Sequence, residues 1–483
     1  MEGINDFIIE ESQTIKDALL IINRNGCGLT FVVRGKKLTG VVSDGDLRRY
    51  LLKEANLEKE IKEVMNKGFI FFHVQTDANT IRESFNEEIK YIPLVDDEFN
   101  LVDIASANKT HRIPILEPDL NGNEIQYVKE CIYTNWISSQ GKFVKKFEKL
   151  FSEIHAQRYS VSVSNGTVAL HLALKTMDIG LGDEVIVPNI TFAACANSVI
   201  LAGAEPVFCE IDKESWCISP KEIENLITSK TKVIMIVHLY GQVADIPKIR
   251  KIADKYNLIV LEDCAEAIGS KYKNKPVGTF GDVATFSFFG NKTISTGEGG
   301  MVVFKDENLA QKARILRDHG MDPLKKYWHQ VSGFNYRITN LQAAIGVAQL
   351  ERFKEIVDKK IQISNWYQSE LSSCKGIELK PANSKFIIHS NWLFTVILDD
   401  ELDKNYVIKR LLELGIETRR VFYSLNEMPP FKNYRTSNNL TFSKKLSKQG
   451  ISLPSSVSLQ REEVSYVVNS LNKIIENNLK GVN

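Results

Sequence analysis

Two stretches near the N-terminus share one order of apolar and polar positions. Each pattern predicts an amphipathic helix beginning near Thr14 or Thr80, and then two apolar strands, LTFVV and LTGVVS in one stretch and YIPLV and NLVDIAS in the other. An internal duplication of this kind predicts two small α/β units packed as one module. The segment 107–120, ANKTHRIPILEPDL, is rich in turn formers and prolines and has no periodicity. We therefore predict a module at 1–107 and a linker at 108–118.

Beyond the linker, apolar strands alternate with helices. The strand candidates are YSVSVS, EVIVP, PVFCEI, KVIMIVHLYG and LIVLED, and the helices between them are GTVALHLALKTM, AACANSVILAGA and DIPKIRKIADKYN. This alternation predicts a mostly parallel α/β sheet covered on both faces, with ligands beyond the carboxyl ends of the strands. After residue 370, NWLFTVIL, KNYVIKRLLELGIE and EEVSYVVNSLNKIIENNL predict a smaller α+β lobe. We place the large domain at 119–365 and the small domain at 366–483.

Composition narrows the classes of function. The chain of 483 residues has 61 Lys and Arg against 60 Asp and Glu, which argues against a general attraction to nucleic acid or to an anionic membrane. No apolar stretch is long enough to span a bilayer and no secretory pattern opens the chain, so we expect a cytoplasmic protein with a small-molecule site. The seven cysteines are scattered without a C-x-x-C pair, which predicts reduced thiols and no metal site.

Two segments at the ends of predicted strands carry candidate chemistry. SNGT follows YSVSVS and opens a helix, whose free N–H groups favour an anion; Gly166 would permit close approach and Thr167 would add a hydroxyl donor. LIVLED ends in Glu262 and Asp263, and a buried carboxylate needs a partner. A protonated pyridine nitrogen would suit Asp263, whereas Glu262 suits a structural ion pair. An ordinary capped turn remains the alternative for SNGT alone.

A third segment, FSFFGNKTISTGEGG, places Lys292 among glycines between two β-rich runs. The small residues allow a bulky group to approach the backbone. A lysine held away from water loses stability as an ammonium ion, so its pKa falls toward the range in which it is a nucleophile. A solvated surface charge is the usual alternative for a single lysine, and the surrounding glycines argue against it here.

Together these segments resemble the DegT/DnrJ/EryC1/StrS family of sugar-nucleotide aminotransferases, which have the pyridoxal phosphate (PLP) fold type I. The resemblance covers roughly 112–480 and rests on FSFFGNKTISTGEGG, EDCAEA and GTFGD. WISSQGKFVKKFE, HLYGQVADI and GFNYRITNLQAAIGVAQLE are most similar to the branch that aminates the C4 ketone of a GDP-linked 4-keto-6-deoxy sugar. Family members that act as dehydratases have histidine at the position of Lys292, which this chain keeps.

The resemblance implies a role for each matched residue. Lys292 would be the Schiff-base lysine that later moves a proton between carbon atoms, and Asp263 would keep the pyridine nitrogen protonated. Phe192 would stack on the ring, and Glu266, where many members have glutamine, would lie near the phenolic oxygen or the sugar. His329 is a candidate substrate contact, with a structural histidine as the alternative. The implied phosphate contacts are Gly166, Thr167, Ser287 and, delivered from the neighbouring subunit of a homodimer, Asn335.

The N-terminal duplication resembles a tandem CBS pair. SDGDLRRYL is similar to the nucleotide-contacting segment of that family, which implies that Ser43 and Asp46 meet a ribose. The second copy has Asp103 in place of Gly40 and Lys109 in place of Asp46, so we expect at most one nucleotide site. The alternative is a packing or dimerisation module in which SDGD is an ordinary turn and helix cap.

The function implied by the aminotransferase resemblance is a ping-pong transfer of an amino group from L-glutamate to a nucleotide-linked keto-sugar, for cell-surface polysaccharide such as O-antigen. PLP would be the cofactor, and covalent catalysis would split one hard step into two. UDP- or dTDP-linked keto-sugars are alternative substrates. A non-catalytic nucleotide sensor is the alternative from another class, and the intact set of Lys292, Asp263, Ser287 and Asn335 argues against it.

Overall fold

The computed structural model describes residues 4–74, 76, 78–86, 89–106, 113–156 and 158–480. The chain divides into two units, one of Met1–Ile113 with Lys409–Glu417 and the other of Pro114–Ile408 with Thr418–Asn483. Residues 108–112 of the predicted linker lie outside the described residues, and the finer division into four segments stays a prediction.

The first unit contains one arrangement of strands and helices twice. Its elements are β1 (Ile8–Glu10), α1 (Ile15–Asn25), β2 (Leu29–Arg34), β3 (Lys37–Ser43), α2 (Asp44–Leu51), β4 (Phe72–His73), α3 (Ala78–Glu83), β5 (Tyr91–Val95) and β6 (Leu101–Ser106). Each half forms a three-stranded sheet, in which the first strand pairs parallel with the second and the second pairs antiparallel with the third. The second helix begins at Ala78 rather than near Thr80.

Local signals explain where α1 and α2 begin. Thr14 caps α1 and exchanges hydrogen bonds with Asp17, and Ser43 caps α2 in the same way with Asp46. Gly26 ends α1 in the left-handed conformation, with φ of 64°, which glycine adopts without steric cost. An apolar cluster joins the halves, since Phe31 and Val33 pack with Val95 and Leu101.

The rest of the chain forms a larger set of elements. They are α4 (Glu124–Tyr133), α5 (Lys142–Ile154), β7 (Tyr159–Val163), α6 (Gly166–Thr176), β8 (Glu184–Pro188), α7 (Ala194–Leu201), β9 (Glu205–Cys209), α8 (Pro220–Leu226), β10 (Thr231–Val237), α9 (Ile246–Tyr256), β11 (Ile259–Asp263), β12 (Lys271–Tyr272), β13 (Lys275–Pro276), β14 (Val283–Ser287), β15 (Gly300–Phe304), α10 (Glu307–Arg317), α11 (Asn340–Glu351), α12 (Phe353–Glu370), β16 (Ile377–Leu379), β17 (Ile387–Ile388), β18 (Phe394–Leu398), α13 (Lys404–Glu413), β19 (Arg419–Arg420), α14 (Thr441–Gln449), β20 (Gly450–Leu453) and α15 (Arg461–Lys480). Short 3₁₀ helices lie at Ile4–Phe7, Ile61–Glu63, Leu239–Gly241 and Leu425–Glu427.

A seven-stranded sheet in the order β7-β15-β14-β11-β10-β8-β9 forms the core of the second unit. The pairs from β14 through β9 are parallel, and β15 is antiparallel to both of its neighbours. Successive residues of a strand point to opposite faces of this sheet. Val283 packs on one face in a cluster with Leu170 of α6, whereas Phe286 packs on the other face with Phe151 of α5. The predicted mostly parallel sheet, buried on both faces, is confirmed.

The C-terminal part has its own antiparallel sheet, in the order β16-β18-β20-β19. The last helix, α15, packs against α12. This is the smaller α+β lobe that the sequence predicts. Among the helices of the described residues, none is long and apolar enough to cross a membrane.

Candidate active site

Lys292 lies in the loop that joins β14 to β15. Its Nζ is 3.8 Å from Glu266 Oε1 and 3.8 Å from the centroid of the Trp392 ring. Burial lowers the pKa of Lys292 below its ordinary value, while the nearby carboxylates of Glu266 and Asp263 act in the opposite direction. A buried amine of lowered pKa has the nucleophilic character that the sequence predicts.

Asp263 is the last residue of β11, and its two oxygens have different donors. Oδ2 accepts a hydrogen bond from the thiol of Cys195 at 3.1 Å, and Oδ1 accepts one from the backbone N–H of Ala265 at 2.9 Å. Burial raises the pKa of Asp263 despite these donors. A cation placed beside this carboxylate would therefore stabilise its charged form.

Glu262, one residue earlier, is occupied by structural contacts. Its Oε2 lies 3.1 Å from His238 Nε2, and its oxygens also accept hydrogen bonds from the backbone N–H groups of Gly278, Phe280 and Gly281. Although burial opposes the shift, these bonds hold the pKa of Glu262 below its ordinary value. Glu262 therefore has the predicted structural role, but its partner is a histidine whose Nδ1 accepts a hydrogen bond from the Ala244 N–H, so the contact is a hydrogen bond from a neutral ring rather than an ion pair. His238, Glu262 and Cys264 lie close enough to share a metal ion, but the carboxylate oxygens are already used by these donors.

Glu266 is buried and faces Lys292. Its Oε2 accepts a hydrogen bond from the backbone N–H of Tyr240 at 2.7 Å, and burial raises its pKa. The structure thus brings Lys292, Asp263 and Glu266 into one cluster, as the sequence predicts for residues of one site.

Gly166 and Ser287 meet at the start of α6. A Cβ atom at position 166 would lie 2.7 Å from the Ser287 Cβ, so only glycine permits this approach. Asn165 caps the helix by accepting a hydrogen bond from the Val168 N–H at 3.0 Å, and Thr167 lies in the first turn. Free N–H groups and two hydroxyls at a helix N-terminus suit an anion. The phosphate contacts themselves stay predictions.

Phe192 lies between β8 and α7 with 59% of its surface exposed. Its ring centroid is 5.9 Å from that of Phe422. An exposed aromatic face is what ring stacking requires. The stacking itself stays a prediction.

Asn335 and His329 lie on the exposed segment between α10 and α11. Asn335 Oδ1 accepts a hydrogen bond from Arg337 Nε at 3.1 Å, and His329 Nδ1 lies 2.9 Å from the carbonyl oxygen of His319. Within the part of the chain that the structure describes, these contacts stay inside the segment and do not involve Lys292. The local hydrogen bond of His329 fits the structural alternative, and a substrate role for either residue stays a prediction.

In the first unit, Ser43 and Asp46 bind each other. The Ser43 hydroxyl donates to Asp46 Oδ2 at 2.6 Å, and the Asp46 backbone N–H donates to Ser43 Oγ at 3.2 Å. Arg49 pairs with the same carboxylate. The helix-cap alternative therefore describes the observed contacts, and nucleotide binding stays a prediction. Lys109 of the second copy lies outside the described residues.

Comparison with known proteins decides the family. The DegT/DnrJ/EryC1/StrS aminotransferase family matches residues 118–472, and the CBS domain family matches residues 4–53. This chain belongs to the DegT/DnrJ/EryC1/StrS aminotransferases. It is 44% identical to the GDP-perosamine synthase of Caulobacter vibrioides over 366 residues, 75% of this chain and 98% of that protein.

Two further relatives support the assignment. The GDP-perosamine synthase of Escherichia coli O157:H7 is 44% identical over 361 residues, 75% of this chain and 98% of that protein. A Streptococcus pneumoniae protein solved in its PLP form superposes with a TM-score of 0.72 at 26% identity, over 76% of this chain and all of that chain. The predicted fold type I architecture, the aminotransferase class and the CBS domain are confirmed.

Aminotransferases of this family depend on PLP, and the residues present fit that cofactor. Asp263 offers a buried carboxylate to a pyridinium nitrogen, and the start of α6 with Ser287 forms a cradle for a phosphate. Lys292 has a buried amine in the same cluster, and its role as the Schiff-base lysine stays a prediction. The chain is a PLP-dependent aminotransferase rather than a non-catalytic sensor.

Several residues of the aminotransferase site have no clear signal in the sequence. Trp392 and Arg419 reach the site from the C-terminal lobe. Arg419 lies more than a hundred residues after Lys292 in the sequence. Tyr240 reaches Glu266 from a turn after β10. Cys195 had a usable signal, because it stands three residues after Phe192, in the first turn of α7. The side-chain types alone did not single out these positions.

Proposed function

We propose that this aminotransferase moves an amino group from L-glutamate to the C4 keto carbon of a GDP-linked 4-keto-6-deoxy sugar, in the synthesis of cell-surface polysaccharide. The observation that carries the proposal is 44% identity to two GDP-perosamine synthases over 98% of their length. UDP- and dTDP-linked keto-sugars are the alternative substrates.

Each residue of the site has a separate role in the proposed reaction. PLP, when bound, holds the amino group between the two half-reactions and withdraws electrons from the reacting carbon. Lys292 Nζ takes a proton from one carbon atom and delivers it to another, and Glu266, 3.8 Å from Nζ, stabilises the amine while it carries that proton. Asp263 holds a proton on the ring nitrogen, and the loop after β14 keeps the lysine away from bulk water.

The active unit in this proposal is a homodimer. Asn335 lies on an exposed segment, where it is available to a neighbouring subunit. Family resemblance assigns it a phosphate contact across the dimer interface. The N-terminal CBS module, in the same proposal, binds a nucleotide or nucleotide-sugar and tunes the rate of the aminotransferase.

A substrate panel tests the function. Purified enzyme with PLP and L-glutamate is incubated with GDP-, UDP- and dTDP-linked 4-keto-6-deoxy sugars, and the products are analysed by mass spectrometry. We expect an amino-sugar product with the GDP-linked substrate and none from Lys292→Ala. A clear preference for a UDP- or dTDP-linked sugar would replace the proposed nucleotide, and no amination of any sugar would contradict the proposal.

A further inference from the structure

The indole of Trp392 holds both the backbone and the amino group of the lysine segment. Its Nε1–H donates to the carbonyl oxygen of Asn291 at 2.6 Å, across 101 positions of sequence. The Lys292 Nζ lies 3.8 Å from the centroid of the same ring. Trp392 is only 3% exposed, so water does not compete for this face. One side chain therefore fixes where the loop lies and where its amine rests.

Trp392 is itself firmly held. The buried Lys360 Nζ donates to the Trp392 carbonyl oxygen at 2.7 Å. The ring of Tyr240 stacks on the indole with centroids 5.9 Å apart and an interplanar angle of 11°, and Phe422 stacks on Tyr240 at 5.5 Å and 14°. Because the indole cannot easily move away, its contact with Lys292 is a preformed feature of the site.

Tyr240 links the stack to the carboxylate on the other side of the amine. The φ angle of Tyr240 is 51°, a left-handed backbone conformation that costs free energy for a non-glycine residue. Such residues cluster at active sites and ligand-binding sites. In that conformation its N–H donates to Glu266 Oε2 at 2.7 Å, while Glu266 Oε1 lies 3.8 Å from Lys292 Nζ. The amine thus has a carboxylate on one side and an aromatic face on another.

We propose that Trp392 is a positioning residue for Lys292. Its indole face holds the amino group beside Glu266 whenever the lysine is protonated and not bonded to PLP. The inference rests on the PLP-dependent activity stated above. A cation over a desolvated indole is attracted by the negative face of the ring. A lysine that has accepted a proton is then kept at the place from which it must donate that proton.

Other charged groups around Lys292 also affect its protonation, and the contribution of Trp392 comes in addition to theirs. Glu266 and Asp263 favour the ammonium form, as does the thiol of Cys195 when ionised, and Arg419 disfavours it. Arg419 also lies over the Trp392 ring, with its guanidinium carbon 5.9 Å from the centroid. The same ring therefore lies near two cations that repel each other.

Fluorinated tryptophan separates this electrostatic role from packing. Fluorine withdraws electron density from the indole face with little change in shape, so the attraction for a cation weakens stepwise as fluorine atoms are added. The full-length enzyme is loaded with pyridoxamine phosphate, which leaves Lys292 unbonded. Competitive acetylation at several pH values, read from peptide masses, then gives the pKa of Lys292.

We expect the pKa of Lys292 to fall stepwise with fluorination and by about one unit in Trp392→Leu. Trp366→Leu is the matched control, because Trp366 also packs under a lysine, Lys359, but away from the site. It should leave the pKa of Lys292 unchanged. An unchanged or raised pKa of Lys292 across the fluorinated series would overturn the inference, even where Trp392→Leu does not fold.

Borohydride trapping keeps this result distinct from failure of the proposed function. If the wild-type enzyme with PLP gives no reduced adduct at Lys292, the lysine assignment fails. If the adduct forms and fluorination leaves the pKa of Lys292 constant, only the role of Trp392 is overturned.

Discussion

Two adjacent carboxylates at the end of β11 have opposite surroundings. Glu262 accepts hydrogen bonds from His238 and from three backbone N–H groups, whereas Asp263 has a single backbone donor and a thiol. The pKa of Glu262 is lowered and the pKa of Asp263 is raised. A carboxylate left short of donors in a buried position is available for a ligand cation.

This contrast gives a paired prediction. Asp263→Asn should reduce turnover by about 10²–10⁴-fold or more, because a neutral amide cannot hold a proton on the ring nitrogen. Its free energy of unfolding should change little, since burial already disfavours the charge. Glu262→Gln should instead lower the free energy of unfolding, because it removes a charged acceptor from four donors. Steady-state kinetics and denaturant unfolding of both variants measure the difference, and equal effects on both quantities would refute it.

Cys195 gives a second prediction at the scale of single residues. A carboxylate only accepts, so the thiol hydrogen goes to Asp263 Oδ2 and the Thr191 hydroxyl, 3.4 Å from the sulfur, donates to Sγ. Cys195→Ala should weaken PLP binding by about ten- to a hundredfold, because a hydrogen bond to a charged group contributes about 1.5–3 kcal/mol. Cys195→Ser keeps a donor and should bind PLP normally.

Fluorescence titration of PLP measures this effect. Cys209→Ala is the control, because that thiol is equally buried but its hydrogen bond goes to the carbonyl of Ser219 in another part of the fold. Equal losses of PLP affinity in Cys195→Ala and Cys209→Ala would show that a cavity, rather than the lost donor, is responsible.

At the scale of single residues, the sequence could predict only those functional residues that have a recognisable pattern in the residues next to them. Lys292 stands among glycines and Asp263 ends an apolar strand, and the structure places both in one cluster. Trp392 could not be predicted, because its contact with Lys292 depends on stacking between residues far apart in the chain. Ser43 and Asp46 carry a pattern typical of both a helix cap and a nucleotide contact, so the pattern could not choose between them.

At the scale of elements, the turn between β10 and α9 determines the position of the aromatic rings that stack against Trp392. Gly241 has φ of 88°, and a Cβ there would lie 2.5 Å from the backbone nitrogen of Asn391. Gly182 has φ of 87° with nothing within 4 Å of such a Cβ. The two glycines share one backbone conformation and differ in the space around them.

Gly241→Ala should therefore be more damaging than Gly182→Ala. Both substitutions impose a left-handed backbone on alanine, at about 1 kcal/mol. Only Gly241→Ala must also push the segment before Trp392 away from the turn, so it should lower both the free energy of unfolding and the PLP affinity. Thermal unfolding and PLP titration measure the two quantities. Equal behaviour of the two variants would argue against a close approach at Asn391.

Sequence predicted the long elements better than the short ones. The strands β7, β8 and β11 have five residues each, nearly all of them buried, and their apolar residues are visible in the sequence without a structure. The strands β12, β13, β17 and β19 have two residues each. So short a strand exists only because a partner strand lies beside it, and periodicity within the segment carries no information about that partner.

At the scale of the whole molecule, the proposed sharing of a site between subunits has a direct test. Lys292→Ala and Asn335→Ala should each be inactive or nearly so, but a hybrid dimer can assemble one intact site from the unaltered half of each subunit. Mixing the two variants under conditions of subunit exchange should therefore restore part of the activity. The control is each variant mixed with itself, and mass spectrometry of tagged subunits verifies exchange. Exchange without recovery would contradict a shared site.

In the N-terminal module, the candidate nucleotide contacts Ser43 and Asp46 also cap a helix, so the two roles must be separated by experiment. Among the described residues of the module, two capping boxes have the same chemistry, Thr14 with Asp17 and Ser43 with Asp46. Asp46→Ala and Asp17→Ala should each lower the free energy of unfolding by about 0.5–2 kcal/mol, which makes one the control for the other. If SDGD also contacts a ribose, only Asp46→Ala should lose nucleotide binding. Calorimetry of the full chain with adenine and guanine nucleotides measures this.

Regulation requires more than binding, because a ligand shifts activity only through different affinities for two states of the enzyme. A nucleotide that binds at Asp46 should therefore change either the turnover or the oligomeric state of the wild-type chain and of Asp17→Ala, and neither property of Asp46→Ala. Turnover assays and sizing by light scattering, with and without nucleotide, test this on the same three proteins. If no nucleotide binds, or if Asp46→Ala and Asp17→Ala respond alike, the contacts of Ser43 and Asp46 serve the helix alone.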